Sequence, residues 1–157
     1  MHKISPSLWF DTQAEEAAEF YVSIFKNSRI ESTARYLEGM PGPVGSVMTV
    51  RFVLDGEEFV ALNGGPVFTF SQAVSFVVNC DTQDEVDDMW SALSDGGEQG
   101  VCGWLTDKFG LSWQIVPTVL GEMLSSSDTA AAQRASAAML AMKRLDIAGL
   151  QRAYDGA

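Results

Sequence analysis

The chain has 157 residues, 46% of them hydrophobic and 20% charged, which is enough for one well-filled core and too few for two independent ones of ordinary size. A formal net charge of −11, with no Lys/Arg cluster to offset it, repels phosphate backbones and anionic lipid, so neither nucleic acid nor a membrane surface is expected as a partner. No apolar run approaches the ~20 residues that span a bilayer and MHKISPSLWF lacks the features of a signal peptide, so a cytoplasmic protein is expected.

The first half opens on ISPSLWF, apolar and β-favouring, which suits a buried strand. FDTQAEEAAEFY follows, from Phe10 to Tyr21, and changes the period. Thr12 is placed to cap a helix, with Glu15 three residues on as its capping-box partner, and Ala17, Phe20, Tyr21 and Ile24 recur at helical spacing. KNSR ends that helix near Asn27. RIESTARYL reads as a strand and GMPGPVG as a Gly/Pro loop, and SVMTVRFVLDGEEFVALNG reads as two strands folded over Asp55-Gly56.

The second half repeats this plan. AVSFVVNC reads as a strand, and CDTQDEVDDMW, from Cys80 to Trp90, repeats the helix-opening phrase seventy positions on, with Thr82 and Glu85 as cap and partner and Phe20 matched by Trp90. DGG at Asp95 to Gly97 stops the helix, and EQGVCGWLTDKFGLSWQIVP gives one or two strands, a turn at Lys108 to Gly110 and a last strand ending at Pro117. The order strand, helix, two or three strands, written twice, predicts an α+β fold of mostly antiparallel sheets. The modules run over residues 1–66 and 67–117 of a single structural domain, followed by a helical tail, 118–157. In the tail DTAAAQRASAAMLAMKRL is strongly helical, capped at Asp128 with Lys143 and Arg144 in its last turn, and Ala135, Met139, Met142 and Leu145 form a stripe that must bury against its own sheet or another subunit.

A duplicated βαβββ chain of this length resembles the vicinal oxygen chelate superfamily, the glyoxalase and bleomycin-resistance group. LWFDTQAEEAAEFYVSIFKNSRI, ALNGGPVFTFSQAVSFVVNCDTQDEVD and CGWLTDKFGLSWQIVP closely resemble its PhnB-like proteins labelled 3-demethylubiquinone-9 3-methyltransferase, over Ile4 to about Tyr154. The resemblance implies two modules whose sheets curl around a shared cleft, joined as a homodimer. It also implies a divalent metal on four inward-facing side chains, at Ser5 or Pro6, Ala61, Ser75 and Gln114. Only Gln114 is a plausible ligand among these, the sole histidine is His2, and one amide oxygen does not hold a metal without imidazole or carboxylate partners, so no metal and no other cofactor is expected. A methyl donor is usually held by a glycine-rich turn between a strand and a helix. LNGGP leads to Pro66 and DGGEQG follows a helix, so neither has that form.

Strand alternation groups the candidate ligand-binding residues. If Gln114 faces inward, so do Ser112 and Val116, while Trp113 and Ile115 pack beneath helices. The same parity groups Phe59, Ala61 and Asn63, then Thr49 with Arg51, and Cys102 with Trp104. Arg51 either clamps an anionic group or faces solvent and pairs with an acid, and Trp104 either stacks on a flat ligand or belongs to the core. Asn63-Gly64-Gly65-Pro66 makes a tight turn or an anion nest, and Ser75 supplies a hydroxyl. Cys80 and Cys102 read as small buried residues rather than a bridge. With one terminal histidine no Ser-His-Asp arrangement can be built, and the acids of QAEEAAE and QDEVDD fit solvated helix faces. Two readings follow: a protein that binds a small organic ligand in a metal-free cleft, or an enzyme acting on a small metabolite.

Overall fold

The computed structural model describes residues 2–157. Its first unit ends at Phe70 and its second runs from Ser71 to Ala157. The first contains β1 (Ser7–Phe10), α1 (Ala14–Ile24), β2 (Arg29–Arg35), β3 (Val47–Leu54) and β4 (Glu57–Asn63). Asp55 and Gly56 both take positive φ, 47° and 84°, the pair that a two-residue type I′ turn requires, and this fixes the β3–β4 hairpin with Leu54 opposite Glu57 and Thr49 opposite Leu62. β1 adds parallel to β4 and β2 antiparallel to β3, so the sheet order is β1-β4-β3-β2.

One face of this sheet is covered by α1. Ala14, Ala17, Ala18 and Tyr21 are its buried residues, and the small alanines let the helix lie close on the sheet. The Tyr21 ring stacks on Phe52 at 6.3 Å and Phe52 on Phe59 at 5.4 Å, while Val50 and Ala61, paired in register, are fully buried. Phe59 and Ala61 therefore face the helix. This corrects the expectation that they line an inward, ligand-facing surface: the parity was right but the face was assigned to the wrong side.

The second unit repeats the order with β5 (Ser75–Cys80), α2 (Gln83–Ser94), β6 (Glu98–Gln99), β7 (Trp104–Thr106) and β8 (Ser112–Pro117), arranged β5-β8-β7-β6. Val86, Trp90 and Leu93 of α2 are buried, as are Leu105, Trp113 and Ile115 of the sheet. The β7–β8 turn is held by Asp107. Its carboxylate accepts the Phe109 and Leu111 N–H groups at 2.9 and 3.0 Å and the Trp113 indole N–H at 2.9 Å, which satisfies a carboxylate only 3% exposed.

The repeated phrase is not read the same way twice. In the second copy Thr82 accepts the Glu85 N–H at 3.2 Å and Glu85 reaches back to the Asp81 N–H at 2.7 Å, close to a capping box. In the first copy the helix starts one residue later, with Gln13 at the N-cap and no side-chain cap of its own, so neither Thr12 nor Glu15 has the expected role. The slip moves the buried aromatic as well: Tyr21, fully buried, takes the place that Trp90 holds in α2, and Phe20 is only half-buried.

Three helices complete the second unit: α3 (Thr118–Leu124), α4 (Thr129–Leu140) and α5 (Ile147–Asp155). Asp128 caps α4 by accepting the Ala131 N–H at 3.0 Å. α4 stops at Leu140, so Lys143 and Arg144 lie beyond it rather than in its last turn. There the chain docks on the second sheet: the Met142 and Lys143 carbonyls accept the N–H groups of Cys102 and Gly103 at 2.8 Å each, two residues at φ 58° and 82°. The stripe buries within this unit, where Ala135 and Leu145 join Leu120, Met123 and Leu150, with Met139 and Met142 packed alongside. No helix among the described residues is long and apolar enough to cross a membrane.

Candidate functional site

The pocket lies where β1 and β4 end and α1 begins. It encloses about 720 Å³, within the range of small-molecule sites. Its walls are Trp9, Tyr36, Met40, Pro41, Pro43, Met48 and Leu62, and Asp11, Thr12 and Glu15 stand at its edge, exposed. The lining is mostly apolar, and among the described residues that form it there is no Lys, Arg or His.

Two aromatic walls are fixed by glycines and hydrogen bonds. The Trp9 indole donates to the Gly65 carbonyl at 2.9 Å, and Phe68 meets its ring edge-on at 5.0 Å. A Cβ at Gly64 would collide with the Trp9 ring, and one at Gly42 with the Tyr36 ring, so glycine is required at both places by close approach. Tyr36, 7% exposed, donates its hydroxyl to the Asn63 carbonyl. The same loop is closed by Tyr36 N–H to the Ser46 carbonyl and Gly45 N–H to the Tyr36 carbonyl, both at 2.9 Å.

Asn63 joins these parts. Its Oδ1 accepts the Ala14 N–H at 2.8 Å and its Nδ2 donates to the Val47 carbonyl at 3.0 Å, while the next N–H, of Gly64, donates to the Phe10 carbonyl at 2.9 Å. The Asn63 carboxamide thus ties α1 to β3, and the Asn63–Gly64 peptide ties β1 to the Tyr36 loop. The side chain braces the strand and helix ends beside the pocket, the backbone carbonyl holds the Tyr36 wall, and the Gly64 and Gly65 N–H groups are taken up by the Phe10 and Asp11 carbonyls.

The other expected residues fall on the sheet faces opposite the helices. Trp104 stands across from Gln114 on β7 and β8, and Gln114 donates Nε2 to the Ser75 Oγ at 3.0 Å. In the adjoining row Thr106, Ser112 and Ser75 are in register across three strands. Ser112 is 1% exposed and its Oγ has no hydrogen-bond partner. Arg51 lies on β3 between Ser32 and Val60, half-buried, and makes no ion pair among the described residues. The structure thus brings together Gln114, Ser75 and Trp104 on one face, and sets Asn63 and Arg51 in the other unit.

The donor chemistry at the four positions that the resemblance implied for a metal does not fit a divalent ion. Ala61 offers a methyl group buried under α1, Ser75 and Gln114 bond each other, and Ser5 and Pro6 supply at most a hydroxyl. No group of three or more His, Cys, Asp or Glu among the described residues could hold a metal ion. A methyl donor's nucleotide is equally ill matched. Gly64 and Gly65 close β4 without opening a helix, and Gly96 and Gly97 follow α2.

Trp9, Tyr36, Met40, Met48 and Asp11 were not among the residues singled out from the sequence. For Tyr36 and Met40 the signal was a long loop between two strands carrying Met and Pro, since an apolar loop must cover something.

A family model described as 3-demethylubiquinone-9 3-methyltransferase matches residues 2–116. Among solved structures the chain is similar to a PhnB protein from Bacillus cereus, provisionally described as a 3-demethylubiquinone-9 3-methyltransferase, at 37% identity and a TM-score of 0.68, over 74% of this chain and 100% of that one. A protein from Pseudomonas aeruginosa is 22% identical with a TM-score of 0.61, over 74% of this chain and 98% of that one. The fosfomycin resistance protein FosX from Mesorhizobium loti, 12% identical over 80% of this chain and 100% of that one, shares the fold at a TM-score of 0.56. A comparison with curated proteins gives no match. With a model match over most of its length and the glyoxalase-like fold of these neighbours, the chain belongs to the family described as 3-demethylubiquinone-9 3-methyltransferase, the PhnB-like branch of the vicinal oxygen chelate proteins.

Proposed function

We propose that this protein binds a small organic molecule, without a divalent metal, in the pocket of its first unit. The observation that carries this reading is the pocket itself: about 720 Å³, walled by two immobilised aromatic rings, two methionines and two prolines, with few polar groups. The hydrogen bonds of the Trp9 indole and the Tyr36 hydroxyl support it, because they hold the walls in place before any ligand arrives, with Gly64 and Gly42 allowing the close packing against both rings. On the second sheet Trp104, Gln114 and Ser75 offer a stacking surface beside hydrogen-bonding groups, and Arg51 adds a guanidinium on the first. Each set is proposed to contact ligand within its own unit, apart from the pocket of the first unit.

A thermal-shift screen of organic metabolites and of Zn²⁺, Ni²⁺ and Mn²⁺ tests the proposal, since a ligand that binds only the folded state raises its melting temperature. Organic compounds with apolar bodies are expected to stabilise the protein and the metals are not. Stoichiometric metal retention after dialysis, lost in Gln114→Ala, would instead restore the enzyme reading. The resemblance also supports a homodimer, and a sedimentation mass of one chain, 17.0 kDa, at micromolar concentration rejects it.

A further inference from the structure

Resting on that reading of the pocket, we infer that its ligand is an organic cation: a flat apolar body carrying an ammonium group. The lining supplies an aromatic and thioether surface for the body, in Trp9, Tyr36, Met40 and Met48, and two carboxylates, Asp11 and Glu15, for the charge. Neither carboxylate has a hydrogen bond or ion pair with a described residue, so both are available to a ligand. Thr12 adds an exposed hydroxyl beside them.

Opposing charges are smaller. The start of α1 also borders the pocket, and a helix N-terminus presents about half a positive charge. The carboxylates of Glu15 in its first turn and of Asp11 just before its N-cap outweigh that, and the Ala14 N–H that would greet an anion is already held by Asn63. Of the basic residues on the same sheet, Arg29 pairs with Glu31 at 2.7 Å, Arg35 donates to the Gly45 carbonyl at 3.0 Å, and Arg51 sits opposite Val60, two residues along β4 from Leu62, all three outside the lining. The chain's net charge of −11 adds a background field of the same sign as the carboxylates. Indole and phenol faces attract cations in addition, so the walls and the rim select for one class of molecule.

The test uses three probes that share one indole body: tryptamine (cation), 3-ethylindole (neutral) and indole-3-propionate (anion), titrated calorimetrically at low salt. Exposed ion pairs and cation–π contacts are individually modest, so tryptamine is expected to bind about tenfold more tightly than 3-ethylindole, with indole-3-propionate weakest. In Asp11→Asn/Glu15→Gln the advantage of tryptamine over 3-ethylindole should fall to within about threefold. Asp11→Lys/Glu15→Lys should reverse the order of cation and anion, and because both positions are exposed these variants keep the fold. Equal binding of all three probes overturns the cation assignment and leaves the pocket reading intact. Binding of none at millimolar concentration overturns both.

Discussion

Asn63 Oδ1 accepts the Ala14 N–H at 2.8 Å and so does for α1, from 49 positions away in sequence, what Thr82 does for α2 from its own N-cap. The first helix is capped by tertiary structure and the second by its own sequence. Asn63→Ala therefore removes both the cap and the Nδ2 bond to the Val47 carbonyl, leaving half-buried polar groups unmatched. The expected cost is about 1–3 kcal/mol in urea unfolding, with ligand affinity reduced as well, because the pocket walls depend on the same residue. An Asn63→Asp chain, which keeps an acceptor for Ala14, should recover part of the stability.

The two threonines of the repeated phrase should respond differently. Thr82→Ala loses a helix cap and is expected to lower stability by about 1 kcal/mol. Thr12→Ala should change it by less than about 0.5 kcal/mol, as for an exposed side chain outside such features. Equal losses at both positions in thermal or urea denaturation would contradict the one-residue slip between the copies.

Gly64→Ala places a methyl group against the Trp9 ring. Overpacking of this kind costs about 1–3 kcal/mol, and here it must also shift a pocket wall. The expected outcome is a weaker ligand response together with a changed Trp9 environment, seen as a shift in tryptophan fluorescence.

Ser112→Ala is expected to leave the stability of the free protein unchanged or to raise it by up to about 1 kcal/mol, since it removes a buried hydroxyl without a partner. A loss of stability without ligand would show that Ser112 has a structural partner.

Cys80 is buried, and desolvation, reinforced by Glu85 and Asp81, pushes its thiol up to about 11 from the ordinary value near 9.0. The thiolate is the reactive form, so labelling of native Cys80 by a thiol reagent should stay slow at pH 8 and rise as the pH approaches 11. Since the folded chain holds this proton more tightly than the unfolded chain, the contribution to stability is present below pH 9 and is lost as the pH rises from there toward 11.

The sequence by itself determined the element order and much of the register. Asp55-Gly56 demands positive φ at two consecutive positions, which only a tight hairpin supplies, and the alternation in SWQIVP put Trp113 and Ile115 on the buried side of β8. These are local signals, set by residues within a turn or a strand of one another. What the sequence left open was which side each face meets. The resemblance placed Ala61 and Gln114 on equivalent inward faces, yet Ala61 is covered by α1 and Gln114 is turned away from α2. The helix cap supplied by Asn63 was equally hidden, because hydrogen bonds across tens of residues leave no periodicity. The pocket depended on the tertiary structure most of all. Trp9, Tyr36 and Leu62 come from three separate strands or their ends and meet only after β1 has paired with β4 and the loop has closed on Asn63; concavity is a property of elements already packed, and no single segment carries it.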